Sequence, residues 1–272
     1  MNLTSPSQVK AWCIANGFHP NRTLGQNFLI DRNALTAIVD AGLGPAPVPG
    51  ARVLEIGPGL GVLTEEMLAR GACVTAVEKD PVLAGRLAGA LGNPPGLAVV
   101  AGDALEFIAG RVGASPAPPF GDFDFMVSNL PYQSGTRILL ELVMRRAVPS
   151  MTVLVQAEVA ERLAAGPGSK TRSLAGVWTQ LDYDVRMVRK VAASCFWPRP
   201  DVASTVVTLT RHDRNIALSE KERAFFRSLT KRAFEHRRKQ LGSIFKDMIQ
   251  SCARAEELSN EEWLTLVKGL TA

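Results

Sequence analysis

The hydrophobic and polar positions of the chain alternate between two periods. Short apolar runs, "ARVLEIG" (51–57), "ACVTAVEKD" (72–80), "LAVVAGDA" (97–104), "FDFMVSN" (123–129) and "MTVLVQA" (151–157), read as strands. Segments of helical spacing lie between them: "GVLTEEMLARG" (61–71), "PVLAGRLAGAL" (81–91), a short helix after Asp103, and "TRILLELVMRRA" (136–147). Each strand run is β-branched or apolar at successive positions, as a parallel sheet covered by helices on both faces requires. The alternation predicts an α/β chain with a Rossmann-like, doubly wound sheet that binds ligands at the carboxyl ends of its strands. After "DVASTVVTLTRH" (201–212) the pattern turns to helices only, so the expected organisation is one domain over 1–211 and a small α-helical domain over 212–272. Two Pro- and Gly-rich stretches, "GLGPAPVPGA" (42–51) and "GASPAPPFGD" (113–122), read as surface loops.

Composition adds bounds. With 46% hydrophobic and 21% charged residues the chain can bury a core, and no apolar run approaches the roughly 18 residues of a membrane span. The beginning "MNLTSPSQVKAW" lacks the basic, apolar and small-residue order of a secretory signal. Cys13, Cys73, Cys195 and Cys252 are scattered, without metal-ligand spacing or disulfide density, which points to a reducing, cytoplasmic setting.

The net charge of +5 permits a nucleic-acid partner, and its distribution argues for one. Between Lys221 and Lys246 stand nine Lys and Arg against two Glu. Such an imbalance lacks the alternation that pairs charges within a helix. A polyphosphate partner accounts for it, with Arg237, Arg238 and Lys239 as the candidate phosphate contacts.

Candidate chemistry begins at "LEIGPGLG". Gly57, Gly59 and Gly61 follow the first of these strands and precede a helix, where glycine lets the backbone turn tightly and approach a ligand. The next strand ends in Glu78, 21 residues past Gly57, placed for a carboxylate to accept both ribose hydroxyls of a nucleoside cofactor. NAD and S-adenosylmethionine both use such a crevice. The dinucleotide fingerprint expects a small third residue five positions after the first glycine, and that position holds Val62. Asp103 closes the following strand, an acid suited to an adenine amino group or ordered water. His19, His212 and His236 fit no strand end where a nicotinamide enzyme would handle a proton. The reading therefore favours S-adenosylmethionine.

The motifs "LGQNFLID", "VLEIGPGLGVLT", "VEKD", "GDAL" and "NLPY", in this order and spacing, resemble those of the ribosomal RNA adenine N6-methyltransferases, most of all the small-subunit dimethyladenosine transferase branch. The resemblance runs from about Thr23 to Lys246 and takes in "QAEVAERLAAGPGSK" and "AFEHRRKQL". It implies a substrate in rRNA within a pre-ribosomal particle, two adjacent adenosines in a hairpin loop near the 3′ end, both dimethylated; off the ribosome the expected state is a monomer.

The resemblance also gives "NLPY" a role. An exocyclic adenine amine is a poor nucleophile because its lone pair is delocalised into the ring. The Asn129 side-chain oxygen and the Leu130 carbonyl would accept its two N–H bonds and aim the lone pair at the cofactor methyl. Pro131 would stiffen the turn, and Tyr132 would stack on the extracted base, worth roughly 1–3 kcal/mol. Phe196, in "CFWPRPDVAS", is the expected opposite face of that sandwich. Asn27 and Leu29 would cover the methionine end of the cofactor, with Gln26 and Phe28 at the entrance and Asp31 capping the next helix. Glu55 would bind the glycine-turn amides or the cofactor's amino end. The chemistry needs no metal.

Some positions depart from the family pattern: Gln133 for Asn, "SGT" after it, Asp201 for Lys, and "KTRSL" for a Tyr-Gly-Arg-type segment. They touch expected RNA contacts and the completeness of dimethylation rather than cofactor binding. Two rivals share the fold: the antibiotic-resistance branch acting on a large-subunit adenosine, and a non-catalytic assembly or transcription factor. Gly25 and Leu130 favour the small-subunit branch, and the intact "NLPY" favours catalysis. A DNA adenine methyltransferase would carry an acid in place of Asn129.

Overall fold

A computed structural model describes residues 1–112, 122–246 and 248–271, with side chains for all of these except Arg22 and Thr271. The Pro-rich loop expected over 113–122 lies outside them save for Asp122. Helix α1 (Pro6–Ala15) and the two-residue strand β1 (Phe28–Leu29) come first, then α2 (Arg32–Leu43), whose cap is Asp31: its side chain accepts from the Ala34 N–H at 2.7 Å.

Five strands with intervening helices follow: β2 (Arg52–Ile56), α3 (Val62–Ala69), β3 (Cys73–Glu78), α4 (Pro81–Ala90), β4 (Leu97–Ala101), α5 (Ala104–Ile108), β5 (Phe125–Asn129), α6 (Gly135–Met144) and β6 (Ser150–Gln156). Next are α7 (Ala157–Ala164), α8 (Leu174–Asp182), β7 (Tyr183–Val191), the short β8 (Phe196–Trp197) and β9 (Ser204–Arg211). The chain ends in α9 (Glu220–Glu235), α10 (Leu241–Phe245) and α11 (Asn260–Thr271).

The main sheet has the order β4-β3-β2-β5-β6-β9-β7. Strands β2 to β6 pair in parallel, whereas β9 pairs antiparallel with β6. The interior strands β2, β5 and β6 are buried at nearly every position, as expected for strands covered on both faces. From β2 the chain winds one way to β3 and β4, then crosses back to β5 and β6. The reversal opens a crevice between the carboxyl ends of β2 and β5, where doubly wound sheets bind ligands. Strands β1 and β8 form a separate antiparallel pair, Phe28 opposite Trp197 and Leu29 opposite Phe196.

The chain divides into two compact units: Met1–Ala160 with Arg186–Thr210, and Glu161–Val185 with Arg211–Ala272. This differs from the expected division at 211/212, because residues 161–185 join the helical unit. Helix α8 packs on α9 and α11 there, sharing a core with Val177, Phe226, Leu241 and Trp263. Inside that unit Arg223 and Asp182 form a buried ion pair at 2.7 Å. In the first unit, Leu35, Ile38, Val53, Met67, Val127 and Leu154 build the core around the sheet.

Candidate active site

The glycine turn leaves β2 at Ile56 and enters α3 at Val62. At Gly59 φ is +59°, and a Cβ there would stand 3.1 Å from the Phe28 ring. The backbone thus turns in the left-handed region against an aromatic wall, a place only glycine fills without strain. Facing this turn across the crevice is the loop after β5, with the Pro131 ring and the Asn129 carbonyl beside Gly57.

Glu78 ends β3 and is buried. Its two oxygens accept from the backbone N–H groups of Gly59 at 3.0 Å and Asp80 at 2.8 Å. Burial raises its pKa, and these two amides offset only part of that rise. A carboxylate has about four lone-pair sites, so two remain for a diol. Asp103 caps α5 by accepting from the Leu105 N–H at 2.7 Å and is paired with Lys79 at 2.8 Å. Chiefly through that lysine its carboxyl is held below its ordinary range. Glu55, only 1% exposed, accepts from the Thr64 hydroxyl at 2.6 Å. Burial, with a smaller push from the Glu78 charge, raises its pKa to about 8 against the Thr64 bond. Near neutral pH it is a protonated acid at the floor of the site.

Asn129 is anchored at one end. Its side-chain Nδ2 donates to the Asn27 carbonyl at 3.1 Å, while its Oδ1 is buried with no hydrogen-bond partner among the described residues. The Asn27 carbonyl fixes which end of the amide is which, since a flip would set two acceptors against each other. Asn27 in turn donates from its own Nδ2 to the Gly25 carbonyl at 3.2 Å. Gly25 has φ of +68°, and a Cβ there would lie 3.2 Å from the Tyr132 backbone nitrogen. The "LGQNF" and "NLPY" segments are therefore one packed unit. Leu130 donates its N–H to the Leu154 carbonyl at 3.2 Å, and the Pro131 carbonyl accepts from Gly135 at 2.7 Å, which starts α6.

These elements enclose a cavity of about 350 Å³, within the size range of small-molecule sites. Asn27, Leu29, Gly57, Gly59, Glu78, Asp103, Asn129, Leu130, Pro131 and Tyr132 all line it.

Phe196 does not. It is 2% exposed, pairs with Leu29 in the small β1–β8 sheet and packs in the main core. The expected aromatic sandwich with Tyr132 is corrected accordingly: strand pairing turns Phe196 inward. The basic triad is also more divided than the sequence suggests. Arg237 is partly withdrawn, donating to the Lys170 carbonyl at 2.7 Å and pairing with Glu256 at 3.5 Å. Arg238 and Lys239 are exposed in the turn after α9.

Sequence reasoning missed three contributors. The Tyr132 hydroxyl meets the buried Ser204 hydroxyl at 2.6 Å, which holds the ring by its polar end. Leu3, from the segment leading into α1, lines the cavity. Thr64, on α3, is the partner of Glu55. Ser204 lies 72 residues from Tyr132, and no local pattern points to it; Thr64 closes the glycine-turn motif itself, nine residues past Glu55, but its hydroxyl carries no signal of that partner.

Comparison with known proteins places this geometry. Residues 17–268 match the family described as ribosomal RNA adenine dimethylase. Ribosomal RNA small subunit methyltransferase A of Deinococcus radiodurans is 43% identical over 250 residues, covering 90% of this chain and 79% of that protein. The protein of the same name in Chlamydia felis is 35% identical over 289 residues, covering 100% and 97%. Among solved structures, a dimethyladenosine transferase from Plasmodium falciparum shares the fold with a TM-score of 0.72 at 23% identity, covering 89% of this chain and 96% of that one. The 23S rRNA methyltransferase ErmE gives a TM-score of 0.67 at 25% identity, covering 90% and 100%. With the family matched over almost its whole length, and with the glycine turn, the Glu78 carboxylate and the anchored Asn129 amide around one cavity, the chain belongs to the ribosomal RNA adenine dimethylases.

Proposed function

We propose that the chain transfers methyl groups from S-adenosylmethionine to N6 of two adjacent adenosines in small-subunit rRNA, each modified twice. The observation that carries this reading is the buried Oδ1 of Asn129, without a partner among the described residues, on an amide held in place by the Asn27 carbonyl. A buried acceptor left unsatisfied is costly, and a donor from the substrate relieves it. The N6 amine is such a donor. With Asn129 Oδ1 and the Leu130 carbonyl each accepting one N–H, the nitrogen is drawn towards a pyramidal shape and its lone pair is freed from the ring.

The cavity fits the proposed cofactor. Glu78 retains acceptor sites for a ribose diol, the glycine turn would let a ligand approach its backbone, and Asp103, which also lines the cavity, would accept from the adenine amino group. S-adenosylmethionine supplies an electrophilic methyl carbon on a sulfonium. Asn129 Oδ1 and the Leu130 carbonyl would hold the amine so that it could accept this methyl group, its proton being released to solvent. What these residues contribute is positioning and a preformed polar environment. Tyr132, its ring fixed through Ser204, is the surface on which the extracted base stacks. With Phe196 buried, that stack is one-sided.

The names of the curated relatives support the small-subunit target over the large-subunit one. We place the reaction on rRNA within a pre-ribosomal particle, met by a monomer in the cytoplasm; no helix among the described residues is long and apolar enough to cross a membrane. The test is incubation of the protein with labelled cofactor and unmethylated small subunits, followed by mapping of modified nucleosides. Dimethyladenosine at two neighbouring positions of small-subunit rRNA is expected. Label on large-subunit rRNA alone, or on none, overturns the reading.

A further inference from the structure

Strand β7 is an edge of the main sheet, bordered by β9 alone. Five consecutive residues in it, Arg186 to Lys190, are exposed, so neither face of the strand is covered there. Three of the five are cations, Arg186, Arg189 and Lys190, and none is an acid. None of the three makes an ion pair among the described residues. The two apolar members, Met187 and Val188, are 47% and 38% exposed. All five belong to the first unit, which also holds the cavity.

The register places this edge relative to the cavity. The Thr208 hydroxyl donates to the Arg186 carbonyl at 3.5 Å, and the His212 N–H donates to the Asp182 carbonyl at 2.9 Å. The partner's number falls by four as the residue number rises by four, so β7 runs antiparallel to β9 and Lys190 comes opposite Ser204. Ser204 is the first residue of β9, beside Gln156 at the carboxyl end of β6, and its hydroxyl holds Tyr132. The cations therefore run along the edge over roughly 13 Å, at about 3.3 Å per residue, towards the strand ends where the cavity opens.

We infer that the β7 edge is a docking rail for the phosphate backbone of the rRNA strand that enters the site. The inference rests on the proposed rRNA substrate and adds where the α/β unit grips it. Charge complementarity selects the occupant: a row of cations with no ion pair among the described residues, ending opposite the serine that holds Tyr132, matches a polyanion. The bland alternative is that these charges only guard an open edge against pairing with a second copy of the chain, a common use of Lys and Arg on edge strands.

One set of variants separates the two. The triple change Arg186→Ala, Arg189→Ala and Lys190→Ala is compared with the charge-preserving Arg186→Lys, Arg189→Lys and Lys190→Arg. The readouts are methylation of small subunits at several salt concentrations, S-adenosylmethionine affinity, and self-association by light scattering. Loss of three phosphate contacts should raise KM for the subunit about tenfold or more. It should flatten the log–log salt dependence by about 2, at roughly 0.7 per contact for single strands. Cofactor affinity should hold, and the charge-preserving variant should restore both KM and slope. Unchanged KM and slope in the alanine variant overturn the rail, and self-association in that variant would then assign the charges to edge protection. If the wild type methylates no small-subunit rRNA, the substrate reading fails first, which is distinguishable from failure of the rail alone.

Discussion

Asn129 is tied at its nitrogen and open at its oxygen, and that asymmetry decides what its loss should do. Replacing it with Ala removes the proposed acceptor for the target amine and leaves Glu78, Asp103 and the glycine turn in place. Cofactor affinity measured by calorimetry should stay within a few-fold, while single-turnover methyl transfer should fall by about 10² or more, the scale for deleting one preorganised polar contact to a reacting group. Transfer at the wild-type rate would remove Asn129 from amine activation. The Tyr132–Ser204 pair makes a subtler claim. Tyr132→Phe and Ser204→Ala each break the 2.6 Å contact but keep the ring. Each should cost about 1 kcal/mol in kcat/KM for the RNA, the usual value of one hydrogen bond. The double variant should cost little more than either alone, because both changes remove the same interaction. Additive losses would mean that the hydroxyls act independently and that Ser204 does not position the ring.

At the scale of elements, the end of β2 carries a second testable consequence. Glu55 has a pKa raised to about 8 in the folded chain from an ordinary 4.5. In the window between those values the folded state holds a proton that the unfolded state has released. Stability from this group is thus complete below about pH 4.5 and is lost as pH rises to about 8, with a slope near 1.4 kcal/mol per pH unit at most. Glu78, also raised by burial, acts in the same direction. Glu55→Gln keeps an acceptor for Thr64 and removes the proton. Denaturant midpoints measured from pH 5 to 9 should fall less steeply in this variant, with its advantage largest at the alkaline end. Parallel curves would show that Glu55 ionises as an exposed acid does.

The same scale shows what the sequence could and could not disclose. The glycine turn, Glu78, Asp103 and "NLPY" are legible because each is a strand end followed by residues whose chemistry is local. Phe196 is not, since whether an aromatic at such a place faces the crevice or the core depends on β8 pairing with β1, some 170 residues earlier. Helix α8 has the composition of either unit, and its neighbours α9 and α11 decide where it belongs. Nothing in "DVRMVRKV" announces an edge strand, because edge position is a property of the whole sheet.

Over the whole molecule, the cavity and the basic turn proposed to dock RNA belong to different units. The cavity is lined wholly by the first unit, and the basic turn after α9 belongs to the second, which has its own core. Changes in that turn should therefore alter subunit binding without altering the cofactor site. The three cations there are not equivalent. Arg238 and Lys239 are exposed, whereas Arg237 spends its guanidinium on Glu256 and the Lys170 carbonyl. Each phosphate contact releases condensed counterion, with a log–log salt slope of about −0.7 for single strands. Arg238→Ala with Lys239→Ala should thus weaken subunit binding and flatten the slope by about 1.4, with thermal stability unchanged. Arg237→Ala should do the reverse, lowering Tm while moving the slope little, because its charge is already matched within the protein. The measurement is subunit binding at several salt concentrations beside a melting curve for each variant. If Arg237→Ala flattened the slope as much as the double variant, its guanidinium would have to leave Glu256 for RNA on binding. If neither moved the slope, the charges of this turn would be solvated only, and RNA docking would fall to the α/β unit.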